Sequence, residues 1–84
     1  MDAVTEEVKT EYAELLEKFL AHNKGDIGWF APRLFSETVG ISSEQALTIL
    51  MHFYTEGIFC MEYDYTYRIN LVDVIPIFKL VKEV

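Results

Sequence analysis

The first two thirds of the chain carry apolar residues at helical spacing, in segments separated by glycine and proline. Between Thr5 and Asn23 the recurring apolar positions lie on one face, opposite a row of glutamates, which predicts an amphipathic first helix. A second, shorter helix is predicted to begin at Pro32, because proline is accommodated in the first turn of a helix, and to end at Gly40. Two helices are therefore expected before residue 41.

A third helix is predicted from Ser43 to about Glu56. Ser42 precedes it and Gln45 follows three residues later, the capping-box pattern in which each residue satisfies a free backbone N–H of the other. Gly57 is expected to end the helix in a left-handed conformation. The three helices are predicted to pack around a common core of Leu15, Phe19, Phe35, Val39, Ile49, Leu50 and Phe53.

Strand-like segments lie between and after these helices. The aromatic stretch Asp26–Phe30 predicts a brief strand or extended linker. After Gly57, the runs Ile58–Tyr63 and Thr66–Asn70 are rich in aromatic and β-branched residues, and a tight turn is predicted between them at residues 64–65. The two runs are expected to pair as an antiparallel hairpin.

The last segment, Leu71 to Val84, is predicted to be a helix capped by Asn70, with Pro76 near its first turn. Its apolar residues fall on two faces, whereas a surface helix needs only one. The second face is therefore expected to contact another polypeptide or a second copy of the chain. That face consists of Leu71, Ile75, Leu80 and Val84. The alternative, in which the first helix covers both faces of a complete monomer, stays open.

A motif of spaced apolar and small residues spans the second and third helices. Phe35 and the small Ser36 are followed by Val39, then by the stretch Gly40–Ser42; the later members are Ala46, Ile49, Leu50, Phe53, Gly57 and Ile58. Together with the order helix–strand–helix–helix–hairpin–helix, this pattern resembles the winged helix-turn-helix superfamily, an α+β fold. The whole chain, 1–84, is expected to form one such domain.

The resemblance implies that the third helix would enter the major groove of DNA and that the terminal helices would form a dimer interface. A dimeric DNA-binding transcriptional regulator is therefore one candidate function. The residues expected to contact DNA in that case are Ser43, Gln45, Thr48 and His52, with Arg68 from the hairpin.

The charge of the chain opposes this candidate. Its 14 acidic and 7 basic residues give a formal net charge of −7, which repels phosphate backbones and anionic membrane surfaces. No lysine or arginine lies between Arg33 and Arg68, where a DNA-reading helix needs cationic or amide side chains. We therefore favour a protein-interaction module, acting as an adaptor, a subunit of a larger complex or a homodimer. A third hypothesis is an acidic DNA mimic or inhibitor.

Several apolar and tyrosine side chains are expected on the outside of the third helix and on the hairpin, where such residues often mark protein contacts. With the second face of the last helix, they make up the predicted partner-binding set: Leu47, Met51, Tyr54, Tyr63, Tyr65, Tyr67, Leu71, Ile75, Leu80 and Val84. For Leu47 and Met51, a slightly rotated helix that places them in the core is an equal alternative.

Nothing in the sequence suggests an enzyme, a cofactor or a metal site. The lone Cys60 and the two histidines lack metal-ligand spacing, and no glycine-rich phosphate loop is present. One cysteine allows no intramolecular disulfide, there is no signal-peptide pattern, and no run of about 20 apolar residues is present to span a membrane. These features predict a cytoplasmic protein without a membrane partner.

Overall fold

The computed structural model describes residues 5–23, 27–69 and 71–82. In this part of the chain it places three helices followed by two strands: α1 (Glu6–His22), α2 (Pro32–Val39), α3 (Ser43–Thr55), β1 (Phe59–Arg68) and β2 (Leu71–Leu80). The strands pair antiparallel as a hairpin. The predicted α+β class is confirmed, and the order of elements is compatible with a winged-helix-like topology.

Each long helix begins at a side-chain cap. Thr5 accepts a hydrogen bond from the backbone N–H of Val8 at 3.2 Å, which starts α1. The Ser42 hydroxyl accepts from the N–H of Gln45 at 3.1 Å, and the Gln45 side chain accepts from the N–H of Ser42 at 3.2 Å. The predicted capping box of α3 is thus confirmed, and it fixes where α3 begins.

The turn between α2 and α3 depends on a left-handed glycine. Gly40 has a φ of 76°, and its N–H donates to the carbonyl of Ser36 at 2.9 Å. Ser36 is itself buried, and its hydroxyl donates to the carbonyl of Arg33 at 2.8 Å. Ser36 can therefore be buried, because it is small and its hydroxyl has a hydrogen-bond partner within α2.

The core contains the apolar faces of all three helices and the base of the hairpin. Leu16, Phe19, Phe35 and Leu50 are fully buried in it. Of the predicted core residues, Leu15 is half-buried against this cluster and the other six are buried. Two residues of the hairpin complete the core, Phe59 and Phe78.

Phe30 joins the segment before α2 to the hairpin. Its N–H donates to the carbonyl of Phe78 at 2.9 Å, and the N–H of Phe78 donates back to Phe30 at 2.8 Å. The predicted strand Asp26–Phe30 is represented by this one bridge, and Asp26 lies outside the described residues. The bridge places Phe30 on the side of β2 that faces away from β1.

The predicted hairpin between Ile58–Tyr63 and Thr66–Asn70 was wrong, because residues 59–63 and 66–68 of these two runs belong to the single strand β1, which pairs with β2. Asp64 and Tyr65 pair with Ile75 and Val74 in the middle of the ladder, so the prediction of a turn at these two residues was wrong. Arg68 pairs with Leu71, which leaves only residues 69 and 70 between the strands. Ten continuous pairs outweigh the turn preference of a single aspartate.

The prediction of a C-terminal helix was also wrong, because residues 71–80 form β2. Pro76 would have been the sixth residue of that helix, where its missing N–H and its ring disrupt helical hydrogen bonding. In β2 its nitrogen points away from β1, so no ladder bond is lost. The proposed cap Asn70 and the last predicted helical residue, Val84, lie outside the described residues.

Candidate functional site

One face of the hairpin is apolar along its whole described length. Residues directly opposite in an antiparallel pair project to the same face, so the register collects alternate residues of both strands. We call the result the core-side face. It contains Phe59, Met61, Tyr63 and Tyr65 of β1 and Val72, Val74, Pro76, Phe78 and Leu80 of β2.

Burial changes abruptly along the core-side face. At its base Phe59 and Phe78 are 2% and 0% exposed, because they pack against the helices. Further along, Tyr63 and Tyr65 are 54% and 53% exposed, and Val74 opposite Tyr65 is 49% exposed. We call the outer part the tip patch: Tyr63, Tyr65, Val72, Val74 and Pro76. These exposed apolar side chains make the tip patch a candidate contact surface.

A groove connects the tip patch to α3. It has a volume of about 420 Å³ and is lined by Ala31, Pro32, Arg33, Ser43, Glu44, Leu47, Ile75 and Pro76. Leu47 and Ile75 remain 37% and 41% exposed. From the sequence, Leu47 was predicted to lie on the third helix and Ile75 on a C-terminal helix. In the structure both residues line the same groove.

The opposite side of α3 faces α1. A hollow of about 300 Å³ lies there, lined by Glu11, Tyr12, Leu15, Ile41, Gln45, Thr48 and Ile49. His52 lies further along, with its ring 5.4 Å from that of Tyr12 in an edge-on arrangement. Of the residues predicted to contact DNA, Gln45, Thr48 and His52 thus lie toward α1, whereas Ser43 lines the groove beside the hairpin.

The remaining predicted partner-binding residues have different environments. Met51 and Leu80 are half-buried against the core cluster, which favours a packing role for both, whereas Tyr54 is 40% exposed. Tyr67, Arg68 and Leu71 lie in the paired strands, and their side chains are outside the described part of the structure. Val84 lies outside it altogether. The helical face that grouped Leu71, Ile75, Leu80 and Val84 is absent, since their segment is a strand over residues 71–80.

The surface of α3 and β1 carries acidic side chains. Glu44, Glu56, Glu62 and Asp64 are exposed, and the sequence has no lysine or arginine from residue 34 to residue 67. Two cations lie near these carboxylates: Arg33 lines the groove together with Glu44, and Lys79 lies opposite Cys60, on the same hairpin face as Glu62. Arg33 pairs with Glu37 at 3.1 Å, and the Lys79 ammonium lies 6.0 Å from the centre of the Trp29 ring.

No group of three or more histidine, cysteine or acidic side chains among the described residues is placed to hold a metal ion. Cys60 is half-buried in β1. None of the described helices combines the length and the apolar character needed to cross a membrane.

Comparison of the chain with protein-family models, with curated proteins and with solved structures finds no match.

Sequence reasoning missed Val72, Val74 and Pro76 as surface residues. The signal was present as apolar residues at every second position from 72 to 80, with the β-branched enrichment of a strand. Because the intervening positions Ile75 and Ile77 are also apolar, the same segment matched a helical pattern equally well. The proline at 76 was the residue that distinguished the two.

Proposed function

We propose that this chain is a small winged-helix-like protein-interaction module that binds another polypeptide through its hairpin and the adjoining side of α3. The observation that carries the proposal is the tip patch. Tyr63, Tyr65, Val72 and Val74 each remain about half exposed, although Phe59 and Phe78 on the same face are buried. The patch continues through Pro76 into the groove beside Leu47.

The energetics favour a contact there. Complete burial of a large apolar side chain contributes about 1.5–3 kcal/mol, so covering the exposed half of one contributes on the order of 1 kcal/mol. Tyrosine adds a hydroxyl that hydrogen-bonds at the edge of an interface, which is one reason for its enrichment at binding hot spots. Four such side chains together contribute about 4 kcal/mol, which only matches the low end of the cost of association, so contacts in the groove must supply the remaining affinity.

The charge distribution supports a protein partner over DNA. The surface of α3 presents Glu44 and Glu56, and β1 adds Glu62 and Asp64, which would lie against phosphates in a winged-helix mode of DNA binding. Two of the amide and hydroxyl side chains predicted to read bases, Gln45 and Thr48, line the hollow beside α1 instead.

Site-specific photo-crosslinking in extracts of the source cells tests the proposal. A photoreactive phenylalanine analogue replaces Tyr65 in one variant and Glu14, an exposed residue on α1, in the matched control. We expect one defined polypeptide adduct at position 65, absent at position 14 and lost when Val74→Asp is added. The isolated chain is also titrated with mixed duplex DNA by fluorescence anisotropy.

Two results would overturn the proposal. One is submicromolar duplex binding that weakens steeply with salt, which would favour the DNA-binding regulator. The other is a set of adducts that is the same at positions 65 and 14, since a specific interface must distinguish the hairpin from the outer face of α1.

A further inference from the structure

One edge of β1 pairs with no other strand among the described residues. Over the described residues the sheet order is β1–β2, and the bridge through Phe30 is made to the far side of β2. The outer side of β1 therefore has no partner strand in the described chain. All residues from 62 to 66 are exposed, so no helix covers this stretch of the edge either. A long exposed edge strand is a template for pairing with another chain.

The hydrogen bonds of Phe30 reveal which backbone groups of β1 point outward. Phe78 exchanges both of its bonds with Phe30, so its backbone groups face away from β1. In an antiparallel ladder, opposite residues either exchange both bonds or neither, so Met61, opposite Phe78, also points outward. The backbone groups of Tyr63 and Tyr65 point outward as well, because these residues lie two and four positions after Met61. The bond from the N–H of Val81 to the carbonyl of Ile58 fits the same alternation.

The two faces beside this edge differ in chemistry. On the core-side face the edge carries Tyr63 and Tyr65, each about half exposed. On the opposite face it carries the exposed carboxylates of Glu62 and Asp64. A strand added to this edge would therefore meet aromatic side chains at alternate positions and negative charges at the positions between them.

We infer that the β1 edge binds an extended segment of a partner protein in which apolar residues alternate with lysine or arginine. The segment would pair with β1 as an additional strand of the sheet. Its apolar side chains would contact the tyrosines, and its lysine or arginine side chains would contact Glu62 and Asp64. This inference rests on the proposed function and specifies the chemistry of the partner. Main-chain bonds to Met61, Tyr63 and Tyr65 would supply affinity, and the alternation would supply specificity.

Charge disfavours a second copy of the chain as the occupant. Two β1 strands paired antiparallel about Tyr63 would set Glu62 of each copy opposite Asp64 of the other, and like charges directly opposite destabilise a sheet. Each copy also carries a net charge of −7. A basic partner strand removes both penalties.

Hydrogen exchange followed by NMR on the full chain tests the inference. The probe is an end-capped eight-residue peptide of alternating valine and lysine, and the control peptide alternates valine and glutamate. We expect saturation with the basic peptide to slow exchange at least tenfold at the amides of Met61, Tyr63 and Tyr65. The amides of Glu62 and Asp64 already point at β2, so they serve as internal controls with little change. The acidic peptide is expected to bind at least tenfold more weakly.

A pair of variants isolates the backbone contribution. Tyr65→Pro removes one outward N–H without removing a bond to β2, while Tyr65→Ala removes the ring and keeps the N–H. We expect Tyr65→Pro to weaken peptide binding at least fivefold beyond Tyr65→Ala, with both variants unfolding cooperatively. If Tyr65→Pro does not fold, Glu62→Gln with Asp64→Asn replaces it and is expected to abolish the preference for the basic peptide.

Three outcomes would overturn the inference. One is that the peptide changes NMR chemical shifts only around Leu47 and Ile75 and does not slow hydrogen exchange at the amides of Met61, Tyr63 and Tyr65. The proposed function would then still stand, provided that the crosslink at position 65 is observed. Another is protection that rises with the concentration of the chain alone, which identifies a second copy as the occupant. The third is equal binding of both peptides. Loss of the position-65 crosslink as well would mean that the proposed function has failed too.

Discussion

On the core-side face, the base and the tip of the hairpin both carry apolar and aromatic residues, but the helices bury those at the base and leave those at the tip exposed. At the base, Phe59 and Phe78 are covered by the helices and complete the core. At the tip, Tyr65 and Val74 sit opposite each other in the same register and remain about half exposed. The same alternation along the strands therefore produces two kinds of apolar residue. Those at the base are buried and stabilise the fold, whereas those at the tip are exposed to contact with another molecule.

The largest expected effect comes from truncating an aromatic ring at each end of β1. Phe59→Ala should lower the free energy of unfolding by about 3–5 kcal/mol, because it leaves a cavity among the helices. Tyr65→Ala, on the same face of the same strand, should cost less than about 1 kcal/mol, the size of a cross-strand pair. Urea titration followed by circular dichroism measures both. Similar losses in the two variants would mean that the tip belongs to the core and would contradict the comparison.

A smaller effect is expected at the glycine that leads into the hairpin. Gly57 has a φ of 80°, and its N–H donates to the carbonyl of Tyr54 at 3.0 Å. Apart from the residues next to it in the chain, nothing lies within 4 Å of the position that a Cβ would occupy, so Gly57→Ala introduces only backbone strain. We expect a loss of about 1–2 kcal/mol in thermal or urea unfolding.

Gly57→Asn is the matched control, since asparagine tolerates the left-handed region better than alanine does. It should recover part of the stability lost in Gly57→Ala. If asparagine is as destabilising as alanine, the loss has a cause other than backbone conformation.

The smallest expected effect on stability is at Pro76, between the base and the tip. Pro76→Val adds an N–H on the outer side of β2, where no bond to β1 is at stake, so the free energy of unfolding should change by less than about 1 kcal/mol. The added backbone N–H gives the outer side of β2 one more hydrogen-bond donor, so self-association should increase in sedimentation experiments. Ile75→Val, whose N–H already points at β1, is the control. A Pro76→Val variant as monomeric as the parent would show that proline does not protect this edge.

The helical part of the molecule could be predicted because its signals are local. Ser42 and Gly40 act on backbone groups within a few residues of themselves, so the start of α3 and the end of α2 could be predicted without any tertiary contact. Helical spacing predicted the core positions Ile49, Leu50 and Phe53 of α3, but on α1 it named Leu15 where Leu16 is the fully buried residue. Phe19 and Leu50 were predicted as core residues and are fully buried.

The candidate site was predicted only in pieces. Leu47, Tyr63, Tyr65 and Ile75 were named from the sequence, yet Ile75 was named as part of a helix that does not exist. The groove that joins Leu47 to Ile75 depends on β2 passing beside α3, which no local pattern specifies. Val74 was missed because its exposure depends on where the helices stop covering the sheet.

By itself, the sequence determined the three helices, the capping box of α3, part of the core and the acidic character of the surface, because each of these follows from residues near one another in the chain or from composition. Only the tertiary structure decided that residues 71–80 form a strand. That segment is apolar at nearly every position, so its periodicity fits helix and strand alike, and the choice depends on non-local pairing with β1 and on the bridge between Phe30 and Phe78. Tertiary structure likewise decided which half of the apolar hairpin face is buried and which is exposed, since that depends on the reach of the helices over the sheet.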